Sequence, residues 1–237
     1  MDLSYAVKYR DLYENHWWWR SREQEIVSKL RENLSGNENR ILDVGCGDGL
    51  FFDRLIEFGE VVGIESDPAT LSGGRWNDQI ICQSFGPEFQ PDCRFDAILM
   101  LDILEHMPDP ESALAHAKSL LTENGILIAT VPAFMSLWTS HDELNHHVVR
   151  YTRRTFFPLF TKIGLDISES KYLFHWTCPA KLLIKAKEFL LGSEPKTPTV
   201  PSSLWNHFFL GLTRLEQATI SRWNMPFGSS LMAIAKK

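Results

Sequence analysis

The chain has 237 residues, long enough for one large domain with a sizeable core, and its 44% hydrophobic and 23% charged residues are those of a folded, water-soluble protein. Lys plus Arg at 24 against Asp plus Glu at 30 leaves a net charge of −6, so no global basic field exists to attract nucleic acid, and none is expected as a partner. Four cysteines without a CxxC pair fit reduced thiols rather than a zinc framework. With no signal-like N-terminus and no apolar run of about 18 residues, the expected location is the cytoplasm, without a transmembrane segment.

Residues 1–39 read as a helical lid. Tyr9, Tyr13, His16, Trp17, Trp18, Trp19, Arg20 and Arg22 precede the helical spacing Ile26, Leu30 and Leu34. Three consecutive tryptophans cannot share one helix face, so at least one is exposed or covers a ligand, and Arg20 or Arg22 is placed to meet a ligand carboxylate. The alternative is a plain helix packed over a sheet.

Residues 40–173 carry the alternating pattern of a βα core. Ile41-Leu-Asp-Val-Gly-Cys-Gly-Asp-Gly49 reads as a buried strand running into a glycine turn, where the missing Cβ atoms let a ligand approach the backbone. Asp43, near the carboxyl end of that strand, points to a cationic ligand. Leu50-Phe51-Phe52 and Leu55-Ile56 predict an amphipathic helix ending at Gly59, and Glu60–Glu65 a second strand. The 20-residue interval from Gly45 to Glu65 is that at which a βαβ unit offers a carboxylate to ribose hydroxyls. Asp67-Pro68 starts a helix that Gly73-Gly74 cuts short, and Gln79–Cys82 is a third strand. Gln83, Ser84 and Phe85 then stand at the crevice edge, where they meet a base or form a plain loop. A fourth strand, Phe95–Leu101, leads into Asp102-Ile-Leu-Glu-His-Met-Pro-Asp-Pro110. The Asp109-Pro110 cap opens a helix closed by the turn Glu123–Gly125, and Ile126–Val131 is a fifth strand. Such strands imply a parallel sheet covered on both faces.

Residues 133–151 have no clean period and hold His141, Asp142, Glu143, His146, His147 and Arg150 in a loop beyond a strand's carboxyl end, where chemistry is commonly placed. His147, His141 and, upstream, His106 are candidate bases, since imidazole titrates near neutral pH. A metal set of His141, Asp142, His146 and His147 is conceivable, but its spacing fits no standard zinc pattern and no metal is expected. Arg150 has two readings, a substrate anion or a salt bridge to Glu143. Thr152 caps a helix with Phe156, Phe157 and Phe160, ending at Gly164, and Leu165–Leu173 is a sixth strand. Residues 174–223 read as two apolar helices inserted before the final strand (within 224–237), interrupted by Lys181, Lys185 and Lys187 and joined by the linker Gly192–Ser203. They serve core packing, a dimer contact, an apolar substrate or a membrane surface.

Taken in order, Leu42–Gly49, Glu65, Phe95-Asp-Ala-Ile98 and Asp102–Pro110 resemble the class I S-adenosylmethionine-dependent methyltransferases, and the last stretch resembles bacterial quinone-biosynthesis O-methyltransferases. His16–Arg20, Val131–Trp138, His141–Glu143, His147, Arg150–Thr152 and Pro226–Leu231 are similar to a bacterial group of these enzymes linked to glycan or lipid assembly. The resemblance implies an α/β Rossmann-like fold with a seven-stranded sheet, six strands parallel and one antiparallel, with helices on both faces and the helical insertion before the last strand. It implies S-adenosyl-L-methionine as cofactor. Asp43, Gly45, Cys46 and Gly47 would surround its methionine and ribose, Glu65 would hold the ribose hydroxyls, and Ser66, Gln83, Ser84 and Phe85 would flank adenine. Leu101 would lie beneath the cofactor, with Glu105 also at the site. Gln83 stands where the group often has an acid, and Val149 interrupts what is often an Arg-Arg pair. The implied reaction is methyl transfer to a hydroxyl of a small-molecule, sugar or lipid-linked acceptor, by a monomer or homodimer, with peripheral membrane contact possible. A nucleotide-dependent oxidoreductase and a non-catalytic S-adenosylmethionine-binding module are the alternatives.

Overall fold

A computed structural model of the chain describes residues 3–71, 74–192, 198–219 and 223–237, with residues 3–8 as backbone alone. Apolar and β-branched runs form seven strands: β1 (Asn39–Val44), β2 (Gly59–Glu65), β3 (Ile80–Cys82), β4 (Phe95–Leu101), β5 (Leu121–Pro132), β6 (Asp166–Leu173) and β7 (Ser230–Lys236). Their order in the sheet is β3-β2-β1-β4-β5-β7-β6. β7 runs antiparallel between β5 and β6, and the other pairings are parallel. The expected six-plus-one sheet is therefore the one observed.

The order reverses between β1 and β4, opening a crevice beyond the carboxyl ends of both strands. The glycine turn after β1 and Asp102 after β4 sit at that switch point. Alternate residues of each central strand face opposite layers. Leu42, Ile98 and Met100 pack with α4 (Pro110–Leu120) and α6 (Arg153–Thr161), which contribute Leu114, Ala117, Phe156 and Phe160. Ile41, Ala97 and Leu99 pack with α2 (Trp17–Asn33), which contributes Ile26, Val27 and Leu30.

Local structure departs from the sequence expectation in several places. The N-terminal segment is two helices, α1 (Leu3–Asn15) and α2, broken at His16, whose Nδ1 accepts the Trp18 N–H at 3.1 Å. The helix after the glycine turn is a single turn, α3 (Phe52–Leu55), because Phe51, Phe52, Leu55 and Phe58 all reach the core once the chain bends at residue 56. Pro68–Leu71 is only a 3₁₀ turn, and Gly73, read as its terminator, lies outside the described residues. The expected turn Glu123–Gly125 is instead part of β5. The register slips between Phe95, opposite Leu121, and Ala97, opposite Ile126, and the extra residues are absorbed as an irregularity of the strand.

The insertion forms α7 (Thr177–Leu191) and α8 (Ser203–Ala218); residues 193–197 of the linker and 220–222 of the second expected helix lie outside the described residues. α8 is fastened to α2 by Asn206, which accepts the Trp17 N–H at 2.9 Å and donates to the Asn15 carbonyl at 2.7 Å. Glu216 of α8 is buried. It accepts the backbone N–H groups of His175 at 2.9 Å and Trp176 at 2.8 Å, and His175 Nδ1 stands 3.1 Å from it. One carboxylate thus ties α8 to the entry of α7. Replacing Glu216 with Ala leaves these buried donors unpaired, and we expect a loss of about 3 kcal/mol. The melting temperature, read by circular dichroism, should fall by roughly 6–12 °C.

Candidate functional site

Between the carboxyl ends of the strands, α2 and α7 lies a cavity of about 890 Å³, within the range of small-molecule sites. The backbone of its floor is held by Gly45 N–H and Cys46 N–H, both donating to the Ile64 carbonyl, at 2.8 and 3.3 Å. Gly45, at φ +71°, needs glycine twice over, since a Cβ there would lie 2.3 Å from the Ile103 side chain. At Gly47, φ +59°, the space is open, with no described atom within 4 Å of where a Cβ would stand.

Asp43 is buried at the end of β1 and lines the cavity, and its carboxylate accepts no hydrogen bond among the described residues. Burial pushes its carboxyl up to about 7; the nearby Arg22 charge opposes that shift and Glu65 adds to it. A buried carboxylate without a hydrogen-bond donor calls for a cation. Arg22 does not fill that place, because its Nε is 3.1 Å from Asp102 Oδ2 and its Nη2 donates to the Leu101 carbonyl at 3.2 Å. Arg22 also lies over the Trp18 ring, 5.4 Å from its centroid. The arginine expected to meet a ligand carboxylate is thus joined to the protein's own acid. Asp102 is itself held at φ +54°, an unfavourable backbone for a residue with a side chain.

Glu105 is fully buried beside the cavity, and neither carboxylate oxygen has a hydrogen-bond partner. Burial and then the Asp102 charge hold its carboxyl well above the ordinary range. Its Oε1 lies 3.9 Å from His147 Nε2.

Residues 133–151 are organised by one buried carboxylate. Ala133 and Tyr151 pair across the base of the loop. Within it, Thr139 begins the short helix α5 (Ser140–Leu144), and Asp142 on that helix turns inward. Arg150 grips Asp142 with two bonds, Nε to Oδ1 at 2.8 Å and Nη2 to Oδ2 at 3.0 Å, and gives Nη1 to the Ala133 carbonyl at 3.0 Å. The Thr139 N–H donates to Asp142 Oδ2 at 2.9 Å, and His147 Nδ1 stands 2.8 Å from Oδ1. Burial by itself raises the Asp142 carboxyl, but the hydrogen bonds from His147 and Arg150 and the Arg150 charge outweigh it and hold the group ionised far below the usual range. Arg150 therefore pairs with Asp142, which corrects the expected salt bridge to the exposed Glu143.

All three candidate histidines line the cavity, but they are not equivalent. With Asp142 accepting at Nδ1, His147 presents Nε2 as an open acceptor toward the cavity. His141 has its Nε2 on Asn145 Nδ2 at 3.1 Å, and burial followed by the Lys181 charge lowers its pKa to about 4. His106 is exposed and stacks edge-on with His147, ring centroids 4.9 Å apart; burial of part of the ring and then His147 lower its pKa.

The metal set weighed from sequence is divided by this arrangement, since Asp142 is committed to Arg150 and Thr139 and His146 is exposed. Among the described residues, the donor atoms that converge, within 4.8 Å of one another, belong to Glu105, His106 and His147, a trio with the chemistry to hold a cation.

Asp43, Gly45, Cys46, Leu101, Glu105 and Arg22 line the cavity with the histidines; Arg20, Gly47, Glu65, Ser66, Gln83, Ser84 and Phe85 stand outside that lining. Glu65 remains adjacent, accepting the Gly47 N–H at 3.1 Å and the Asp67 N–H at 2.9 Å. Phe85 packs against His116 and Phe89, with centroids 5.1 and 6.2 Å away. Sequence reasoning did not single out Trp18, Asp102 or Lys181 as site residues. Lys181 lines the cavity, and burial lowers its pKa to about 8. Its only signal was a charge interrupting an apolar stretch.

The profile of the family described as Methyltransferase domain matches residues 18–170. The ubiquinone biosynthesis O-methyltransferase of Pasteurella multocida is 31% identical over 131 residues, covering 47% of this chain and 53% of that protein. The enzyme of the same description from Alkalilimnicola ehrlichii is 39% identical over 112 residues, covering 43% of each. The chain thus spans about half the length of these curated relatives. Among solved structures, an S-adenosylmethionine-dependent methyltransferase from Archaeoglobus fulgidus shares the fold with a TM-score of 0.57 at 17% identity, over 91% of this chain and 94% of that one. The plantazolicin methyltransferase BamL, in complex with a triazolic desmethylPZN analog and SAH, does so at 0.59 and 16%, over 99% and 90%.

Removing Arg150 strands the Asp142 charge in the interior. Arg150→Ala should cost about 3–5 kcal/mol in urea unfolding. Adding Asp142→Ala to it should return part of that loss, with a coupling of about 0.5–3 kcal/mol. Hydrogen exchange across residues 133–151 should rise in the single variant.

Proposed function

Because this chain belongs to the methyltransferase-domain family, we propose that it methylates a hydroxyl of a small-molecule, sugar or lipid-linked acceptor, with S-adenosyl-L-methionine as donor and His147 as base. The observation that carries this reading is the pairing of two unlike sites in one cavity: a buried Asp43 without a hydrogen-bond donor among the described residues and a histidine oriented by a carboxylate.

The donor would supply a methyl group already activated on a positive sulfur, so the protein has to align the acceptor and take up one proton. Asp43 would meet the positive charge of the donor, and the open space above Gly47 would admit it close to the backbone. Glu65, which accepts the Gly47 N–H, would hold the ribose hydroxyls. In the same cavity, the acceptor oxygen would form its bond to the methyl carbon as the carbon–sulfur bond breaks and its electron pair goes to sulfur, leaving the neutral thioether; the acceptor proton would pass to His147 Nε2, and the ionised Asp142 would stabilise the resulting imidazolium. His106 and His141 flank the acceptor. Glu105, unpartnered and with its carboxyl raised by burial, faces the same cavity and would meet a second polar group of the acceptor.

Isothermal titration with S-adenosylhomocysteine tests the donor site. Affinity should rise as pH increases through about 7, because the ligand's ammonium group favours the ionised form of Asp43 over the protonated one. Asp43→Asn should weaken binding about 10- to 100-fold and flatten that dependence. No binding of S-adenosylhomocysteine, together with binding of NAD, would sink the reading.

With a panel of phenolic and sugar acceptors, His147→Ala should reduce S-adenosylhomocysteine release about 10²- to 10⁴-fold at unchanged donor affinity. Full turnover in that variant would remove His147 as base.

A further inference from the structure

Helix α7 has two faces of opposite use. Ala180, Lys181, Ile184, Lys187 and Glu188, at helical spacing, form a wall of the cavity. The other face carries Leu182, Leu183, Ala186, Phe189 and Leu190, and four of these five are large apolar side chains between 50% and 88% exposed. Only Thr177 and Cys178, in the first turn, are buried. α8 repeats the pattern: Asn206, Leu210, Thr213 and Glu216 face inward, while Leu204, Trp205, Phe208 and Leu215 are 55% to 84% exposed. Trp176, which precedes α7, stacks on Phe209 of α8, and Phe209 stacks on Trp205, so the two helices meet in one aromatic cluster.

An apolar surface of this extent is not an ordinary solvent face. Its charge points to what covers it. The two helices carry four basic residues in a chain whose net charge is −6: Lys181 and Lys187 belong to the cavity wall, while Lys185, whose Nζ donates to the Ser136 carbonyl at 2.9 Å, and Arg214, whose Nε donates to Gln24 at 3.2 Å, stand outside it. Their two acids are both engaged, Glu188 by the Ser140 hydroxyl at 2.7 Å and Glu216 by the entry of α7. Exposed leucine, phenylalanine and tryptophan bordered by lysine are the composition of helices that lie in an anionic lipid interface. A second copy docked by two-fold symmetry would instead bring the same lysines to one interface. Neither helix reaches the length or apolarity needed to cross a bilayer, and no helix among the described residues does.

We propose that the exposed faces of α7 and α8 dock the protein on an anionic lipid surface, with the cavity lying behind α7, one helix diameter from the acyl boundary. This deepens the functional reading above and rests on it for the identity of the site: an acceptor carried by a lipid would reach His147 past the end of α7 without leaving the membrane.

Co-sedimentation with equimolar phosphatidylglycerol–phosphatidylcholine vesicles, against vesicles of phosphatidylcholine alone, tests the docking directly. The protein should pellet with the mixed vesicles, bind the neutral ones more weakly, and be released progressively by salt. The double variant Phe189→Ser/Leu190→Ser should lower partitioning about tenfold or more, with S-adenosylhomocysteine affinity unchanged as proof of folding. Lys185→Gln should reduce binding to mixed vesicles while leaving the neutral ones unaffected. Wild-type protein remaining in the supernatant with both vesicles would overturn the proposal. So would a dimer in light scattering that the Phe189/Leu190 variant converts to monomer, since the apolar faces would then join two copies. Failure to bind S-adenosylhomocysteine bears on the methyl-transfer reading alone, because vesicle binding is scored separately.

Discussion

Asp142 and Arg150 are both withdrawn from water, and the conformation of residues 133–151 depends on their contact. An isolated carboxylate in such a place is worth several kcal/mol of destabilisation, and it persists only when its oxygens are satisfied. Here the two oxygens receive Arg150 Nε and Nη2, the Thr139 N–H and His147 Nδ1. The remaining Arg150 donor reaches back to the Ala133 carbonyl, so one planar guanidinium joins the beginning, middle and end of the loop. A lysine has no fork with which to make these contacts. The same carboxylate selects which nitrogen of His147 faces the cavity, so the structural and chemical roles of Asp142 are inseparable.

The rest of the cavity is arranged around acids that lack adequate partners. Arg22 and Asp102 attract each other at 3.1 Å, yet both contacting atoms are buried without a hydrogen bond, and Asp102 sits in a left-handed backbone conformation. Asp43 and Glu105 line the same cavity, each with its carboxyl raised by burial. Such a cluster is unfavourable for folding, and strain of this kind gathers where a ligand is to be bound. A positively charged molecule laid along the strand ends would relieve Asp43. The tryptophans and α7 line the same cavity as the histidines.

α7 and α8 account for why the chain interrupts its sheet before β7. The last strand completes the fold by inserting between β5 and β6, and the detour puts α7 against the cavity and α8 against α2. Inner contacts such as Asn206 and Glu216 hold the detour in place with polar groups, leaving the apolar side chains on the outside. A helix pair stabilised mainly by burying its own hydrophobic face would show the reverse.

Strand order in the chain, the glycine turn, Asp43 at its base and the βα alternation were legible in the residues, because each is a local signal: a run of apolar residues, a missing Cβ, a cap followed by proline. Helix extents were less so. The same apolar spacing that suggested a full helix before Gly59 is satisfied by one turn and a bend, and only packing distinguishes them. The residues offered His106, His141 and His147 as candidate bases with equal standing. Their difference comes from partners: Asp142 for His147, Asn145 for His141, and the His147 ring for the exposed His106. The choice between Asp142 and Glu143 as the mate of Arg150 has the same origin. Neighbours on a helix point about 100° apart, and which of them turns inward is decided when α5 docks against the strand ends. By itself the sequence determined the sheet, the turn and the loop that gathers histidines and acids; the tertiary structure decided which acid is buried, and through it which histidine nitrogen faces the cavity.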